Sequence, residues 1–144
     1  MKNGQQPGPA LLLALAVLGV AGAQSSVAPS GVIERTGVFR SWAAPTSGTV
    51  VAFRSREGAT HLLLHRFQTG SCPRLQVWLH KGVPTRAQVE GGQGGSALQL
   101  GEMSLPRGSF EFALPPGVDM SAGFGSVVVW CAGSRAAFGM APLE

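Results

Sequence analysis

The sequence predicts an all-β fold, an antiparallel β-sandwich of about eight short strands. Short apolar segments are separated by clusters of Gly, Pro and Ser at regular spacing, as in sandwiches and barrels. Outside the N-terminal leader, no window of ten or more residues carries the apolar period of an amphipathic helix. The predicted strands are Val38–Trp42, Thr49–Arg54, His61–Phe67, Leu75–His80, Ala97–Gly101, Phe110–Leu114, Ser126–Cys131 and Ala136–Met140.

The N-terminus has the layout of a secretory signal peptide. Lys2 precedes an unbroken apolar run over Ala10–Val20, and a small-residue cleavage pattern ends at Ala23. This run is shorter than the roughly 20 residues of a membrane-spanning helix. The alternatives are an uncleaved anchor and an ordinary N-terminal helix. We expect a signal peptide at 1–23, a flexible Ser/Pro/Gly-rich tether at 24–36 and one domain at 37–144. The protein is expected to be secreted, periplasmic or part of the cell envelope, with no membrane span after cleavage.

Apolar alternation indicates which faces of the strands are buried. Every second residue is apolar in Phe110–Leu114 and in Leu75–His80, as expected for half-buried antiparallel strands. The segment Ser126–Cys131 is apolar at nearly every position, which favours a central strand. In that strand Val127, Val129 and Cys131 are expected on one face, and Val128 and Trp130 on the other.

The charge pattern argues against a nucleic-acid-binding role. The chain has 11 Lys and Arg residues against 7 Asp and Glu residues, for a formal net charge of +4. Its arginines are scattered, and they form no basic stripe of the kind that a phosphate backbone requires. No nucleic-acid partner is therefore expected.

The sequence shows no assembled catalytic or metal-binding constellation. His61 and His65 are four residues apart, and on a strand this spacing separates them by about 13 Å. One metal ion cannot reach both. No nucleophile elbow, phosphate-binding loop or CxxC pair is present, and Asp119 is the only aspartate. Whether the protein is an enzyme stays open, and a classical enzyme is not favoured.

The two cysteines, Cys72 and Cys131, are the main candidates for chemistry. Two cysteines in an exported chain most naturally pair, since the compartment is oxidising. Closing the long loop between them would stabilise the fold by about 4 kcal/mol in the chain-entropy model. The sequence leaves three roles open for Cys131: an inert core residue, half of a disulfide, or a redox thiol.

The chain resembles the DM-thirteen electron-transfer domain family from Gly37 to Leu143. The ordered combination of motifs carries this resemblance. In the C-terminal half they are Leu100-Gly101, Gly108, Pro116-Gly117-Val118-Asp119, Val129-Trp130-Cys131, Phe138-Gly139 and Ala141-Pro142-Leu143. Upstream they are Gly37, Phe39, Ser47-Gly48-Thr49 and the Pro73, Leu75 and Val77 strand.

The resemblance implies a β-sandwich module of exported or surface proteins, often found beside DOMON domains. It further implies a redox role centred on Cys131, as a thiol or as a haem ligand, with Trp130, Phe138, Gly139 and Asp119 as motif neighbours. An envelope redox protein or a DOMON-type protein is the implied partner.

Three positions depart from the family pattern, at Ala44-Pro45-Thr46, Ser134 and Cys72. A histidine often precedes the Ser-Gly turn in the family, and its absence here removes the obvious second haem ligand. No CxxCH is present, so covalent haem attachment is excluded. Cys72, which the family does not usually have, offers Cys131 a disulfide partner.

Two functional hypotheses follow from these observations. In the first, the protein is an exported redox module centred on Cys131, with Cys72 as its pairing or resolving partner. In the second, the disulfide only stabilises a non-catalytic interaction or adhesion module of the cell surface. Its binding surface would then be formed by exposed Trp42 or Trp78 and the loop Gly82–Ser96.

Overall fold

The computed structural model describes residues 31–93, 95–118 and 120–144, which form two antiparallel sheets packed face to face. Between named strands, every pairing is antiparallel, so the predicted sandwich is confirmed. The strands are β1 Val32–Val38, β2 Arg40–Ser41, β3 Ser47–Arg54, β4 Thr60–Gln68, β5 Leu75–Lys81, β6 Ala97–Met103, β7 Arg107–Ala113, β8 Phe124–Cys131 and β9 Ala136–Pro142. The described residues also form one α-helix, α1 Arg86–Glu90, and a 3-10 helix at Met120–Ala122.

One sheet has four strands in the order β1-β3-β4-β7, and the other has five in the order β2-β9-β8-β5-β6. The core lies between their facing surfaces. From β5 and β8, the alternate residues Val77, Leu79, Val127 and Val129 all point into this core and are fully buried. The predicted alternation of these strands is therefore confirmed, and β8 is a central strand as expected, with β5 and β9 on either side.

The first predicted strand, Val38–Trp42, is divided between the two sheets. β1 ends at Val38 in the four-stranded sheet, and β2 begins at Arg40 in the five-stranded sheet. Between them, Phe39 is buried and its ring meets Phe67 edge to face, with the ring centroids 5.0 Å apart. The apolar pattern could not reveal this change of sheet, because Phe39 is inward-facing in either arrangement.

Strand β1 occupies part of the segment expected to be a flexible tether. Residues 32–36 are strand, and the remainder of the predicted leader and tether, up to residue 30, lies outside the described residues. β1 is an edge strand with exposed Val32 and Ile33, so it lacks the alternation that predicts a strand. Backbone pairing with β3 and side-chain bonds hold it instead. The Arg35 guanidinium donates to the carbonyls of Phe124 and Leu143, at 3.1 and 2.8 Å.

Helix α1 lies in the loop Gly82–Ser96, where no regular structure was expected. It begins with a capping box, in which the Thr85 hydroxyl accepts from the Gln88 amide and the Gln88 side chain accepts from the Thr85 amide. A Thr followed three residues later by Gln is a sequence signature of such a start. None of the helices in the described part of the chain has the length and hydropathy needed to cross a membrane.

Candidate functional site

Cys72 and Cys131 form a disulfide, which joins the turn before β5 to the end of β8. Their Cα atoms are 5.9 Å apart, within the reach of a disulfide. Strand register brings them together, because Leu75 pairs with Cys131 across β5 and β8. No cysteine is free in the described part of the chain.

The turns around the disulfide are held against each other by backbone contacts. The Ala132 amide donates to the Arg74 carbonyl at 2.9 Å, which extends the β5–β8 ladder past the disulfide. Gly133 follows, and a side-chain Cβ at this position would lie 3.2 Å from the Pro73 ring. A larger residue at Gly133 would therefore press on the turn that carries Cys72.

The two cysteines have different surroundings. Cys131 is 1% exposed and lies at the end of the buried β8 strand. Cys72 is partly buried and packs against the core, and its neighbours Ser71, Pro73 and Arg74 are exposed. Cys72 is therefore the more exposed residue of the pair.

Trp130 lies on the opposite, outer face of the five-stranded sheet. There it packs against an outer cluster of buried residues, Val128, Ala137 and Met140, together with the partly buried Trp42, Trp78 and Val89. The adjacent residues Trp130 and Cys131 thus serve different faces of the sheet. This agrees with the alternation expected for β8.

A cleft of about 320 Å³ opens on this outer face, and we call it the tryptophan cleft. It lies over β5 and β8, and α1 and the loop that follows it form one of its sides. Its lining comprises Trp78, His80, Val89, Ala97, Val128 and Trp130, with two glycines at the loop. The sequence placed Trp78 and the Gly82–Ser96 loop, which contains Val89, in a possible binding surface, but His80 and Trp130 were not connected with it.

A chain of hydrogen bonds links the cleft to the turn that holds Cys72. The Trp78 indole donates to the Gln76 side chain at 3.0 Å, and Gln76 in turn donates to Glu102 at 3.3 Å. The Arg74 guanidinium donates to the same Glu102 oxygen at 3.1 Å. These bonds, chiefly the one from Arg74 and then the one from Gln76, hold the pKa of Glu102 below its ordinary value.

Helix α1 is attached to the sheet through Glu90. The Ala137 backbone amide donates to the Glu90 carboxylate at 2.9 Å, and the Arg86 guanidinium donates to the same oxygen at 3.0 Å. The Ala137 bond is the main cause, and the Arg86 bond the second, of a lowered pKa of Glu90. This anchor places Val89 against the outer cluster.

Two other residues of the family motifs, Phe138 and Gly139, are closely packed against their neighbours. Phe138 is partly buried and packs against the core. Gly139 lies where a Cβ would be only 2.6 Å from the Thr46 Cβ, so no other residue fits without a shift. Asp119 lies outside the described residues.

The residues present do not fit a haem bound through Cys131. The sulfur that would ligate iron is bonded to Cys72 and is buried in the core, and Cys131 does not line the tryptophan cleft. His61 is engaged elsewhere, with Nδ1 2.9 Å from the Glu111 carboxylate and its ring stacked on Phe53. Among the described residues, no group of three His, Cys, Asp or Glu side chains could hold a metal ion.

Comparison with known proteins supports the resemblance noted from the motifs. A family model described as Electron transfer DM13 matches residues 38–143, most of the chain and nearly all of the described sandwich. Neither the curated proteins nor the solved structures include a match to the chain. The match spans both sheets and includes the disulfide and the tryptophan cleft, and the chain therefore belongs to the Electron transfer DM13 family.

Proposed function

We propose that this protein is an exported redox module that accepts electrons by thiol–disulfide exchange at Cys72–Cys131. Membership of an electron-transfer family supports a redox role. The observation that carries the proposal is the difference between the two cysteines, one a partly exposed residue in a turn and the other buried at a strand end. Exchange requires access to one sulfur only.

The exchange is a two-electron reaction with a protein dithiol as reductant. A thiolate of the reductant attacks the Cys72 sulfur, a mixed disulfide forms, and Cys131 leaves as a thiolate that takes up a proton. The second thiolate of the reductant then attacks the reductant sulfur that is bonded to Cys72. Cys72 leaves as a thiolate and takes up a proton. The reductant ends as a disulfide, and this protein ends with two thiols.

Two exposed arginines lie close to the cysteines in the chain. Arg74, two residues after Cys72, is paired with Glu102, and Arg135 is in the turn that follows Cys131. Cationic side chains near a cysteine favour its thiolate, so Arg135 is the arginine that would favour the departing Cys131 thiolate. The export of the protein is part of the proposal: its support is the predicted leader at 1–23 and the disulfide itself, since disulfides persist in oxidising compartments.

The test is a redox titration of the folded protein in glutathione buffers of defined potential, with alkylation and intact-mass measurement. We expect a midpoint above about −300 mV, the range of exchangeable disulfides. A midpoint below about −300 mV, which is typical of a structural disulfide, would contradict the proposal.

Single variants test which sulfur is attacked. Cys131→Ala leaves Cys72 as a thiol on a partly exposed residue, and we expect the folded variant to be labelled by an aromatic disulfide, which forms a mixed disulfide with Cys72 and releases an aromatic thiolate. Cys72→Ala is the matched control, since it leaves only the buried Cys131. Equal labelling of both variants in the folded state would contradict the assignment of Cys72.

The second candidate function is a binding module whose disulfide only stabilises the fold. The tryptophan cleft favours it, because its lining of Trp78 and Trp130 with few polar groups is typical of a small-ligand site. A midpoint below about −300 mV would favour this alternative.

A further inference from the structure

We propose that the tryptophan cleft binds a neutral, planar aromatic molecule of one or two rings. The cleft, at about 320 Å³, has the size of a small-ligand site. The inference does not depend on the redox proposal, because none of the residues that line the cleft is a cysteine.

Two indole rings form the aromatic part of the cleft. Trp78 pairs with Val128 across β5 and β8, and Gln76 pairs with Trp130, so the two tryptophans are diagonal neighbours on one face of the sheet. Diagonal neighbours of this kind lie about 7–8 Å apart, within reach of large side chains. Aromatic rings bind flat rings by stacking or edge contacts, which selects a planar ligand.

The position of Trp78 is fixed by polar contacts rather than by packing alone. Its indole N–H donates to Gln76, which is held by Glu102, and Glu102 is held by Arg74. A bonded indole keeps one orientation and loses less freedom when a ligand binds. The opposite side of the cleft is also fixed, because the Ala137 amide donates a hydrogen bond to Glu90 of α1.

The charge of the lining selects a neutral ligand. Among the described residues, no Lys, Arg, Asp or Glu side chain lines the cleft, and the nearby Glu90 is paired with Arg86. His80 also lies in the lining, and it is only 7% exposed. A charged ligand would therefore lose its hydration in the cleft without gaining an ion pair.

Two glycines border the loop side of the cleft, Gly92 and Gly95, and a Cβ placed on either would meet no atom within 4 Å. Both have positive φ, at 74° and 84°, a conformation that favours glycine. Neither residue therefore presents a side chain that a ligand would have to displace.

The test is a titration of the ¹⁵N-labelled protein with 2-naphthol, followed through the three tryptophan indole N–H resonances. We expect the Trp78 and Trp130 resonances to shift and to saturate, with half-saturation at about 1 mM or below. Trp42 does not line the cleft, and its resonance should shift least. Absence of a saturable shift at Trp78 and Trp130 would overturn the proposal.

Filling the cleft provides a matched pair of variants. Val89→Trp places a ring in the cleft, and we expect it to weaken 2-naphthol binding at least about ten-fold. Val83→Trp, in the same loop but outside the lining and 58% exposed, should leave binding unchanged. Ala97→Phe, at an exposed lining position, is a second filling variant should Val89→Trp fold poorly. Equal binding by all variants would place the naphthol elsewhere and overturn the proposal.

Two further probes test the ligand class. Decahydro-2-naphthol has the same ring framework without planarity, and 2-naphthoate has the same rings with a negative charge. We expect both to bind at least about five-fold more weakly than 2-naphthol. Binding of the saturated alcohol with equal affinity would refute the planar requirement, and tighter binding of the carboxylate would refute the neutral one.

Discussion

The inner and outer faces of the five-stranded sheet differ in what covers them. The inner face meets a second sheet, and residues such as Leu79 and Val129 are fully buried there. Among the described residues, the outer face is covered by α1, its loop and Trp42, which leave a cleft beside Trp78 and Trp130. A sheet buries a face completely when a second sheet lies on it, whereas a five-residue helix covers only part of one. The same strands therefore supply both the stability of the fold and a surface for binding.

The largest expected effect is on the inner face. Leu79→Ala should lower the free energy of unfolding by about 2–5 kcal/mol, because it leaves a cavity between the two sheets. Val89→Ala, on the outer face, should cost less than about 1 kcal/mol, since that residue already borders a cleft. Denaturant unfolding of both variants measures the difference, and equal losses would show that the outer face is packed as tightly as the inner one.

A smaller loss in the free energy of unfolding is expected when the disulfide, at one end of the inner face, is removed. The double variant Cys72→Ala/Cys131→Ala should lose about 2–4 kcal/mol in denaturant unfolding. The indole resonances of Trp78 and Trp130 should keep their positions, because those side chains lie on the other face. Large shifts at both indoles would mean that the two faces are coupled, and that the cleft depends on the redox state of the cysteines.

The smallest effect concerns the attachment of α1. The pKa of Glu90 is lowered in the folded state from a value of 4.5, first by the Ala137 amide and then by Arg86. Its contribution to stability is therefore fully present above pH 4.5 and is lost as the pH falls through the folded-state pKa. Glu90→Gln should cost less than about 1 kcal/mol near neutral pH.

The measurement is denaturant unfolding of the wild type and Glu90→Gln between pH 7 and pH 3. The difference between them should shrink toward the acid end, because protonated Glu90 no longer binds Arg86 as an ion pair. Glu57→Gln, an exposed carboxylate in the turn between β3 and β4, is the control. A difference that stays constant with pH would contradict the proposed attachment.

The apolar alternation was sufficient to predict the central strands. β5 and β8 follow the predicted segments within two residues at each end, because burial between two sheets demands apolar residues on the inner positions. The edge strand β1 was missed for the opposite reason. Its stability comes from backbone pairing and from the Arg35 contacts, and neither leaves an apolar pattern.

The candidate site was predicted only in part. Pairing of Cys72 with Cys131 was one of three roles that the sequence left open, and strand register decides it by placing Leu75 opposite Cys131. The tryptophan cleft was not predicted as a cavity. The capping box at Thr85 is the one local signal that could have revealed α1, but nothing local shows which face the helix covers.

The amino-acid sequence by itself determined the sandwich, the family and the opposite directions of Trp130 and Cys131, because these depend on local alternation and on motif order. Only the tertiary structure decided which cysteine is the more exposed residue, where β1 pairs and how α1 leaves a cleft over β5 and β8. Those features arise between segments that are distant in the chain, such as Glu90 and Ala137. Their geometry is set by packing and register, which no single segment encodes.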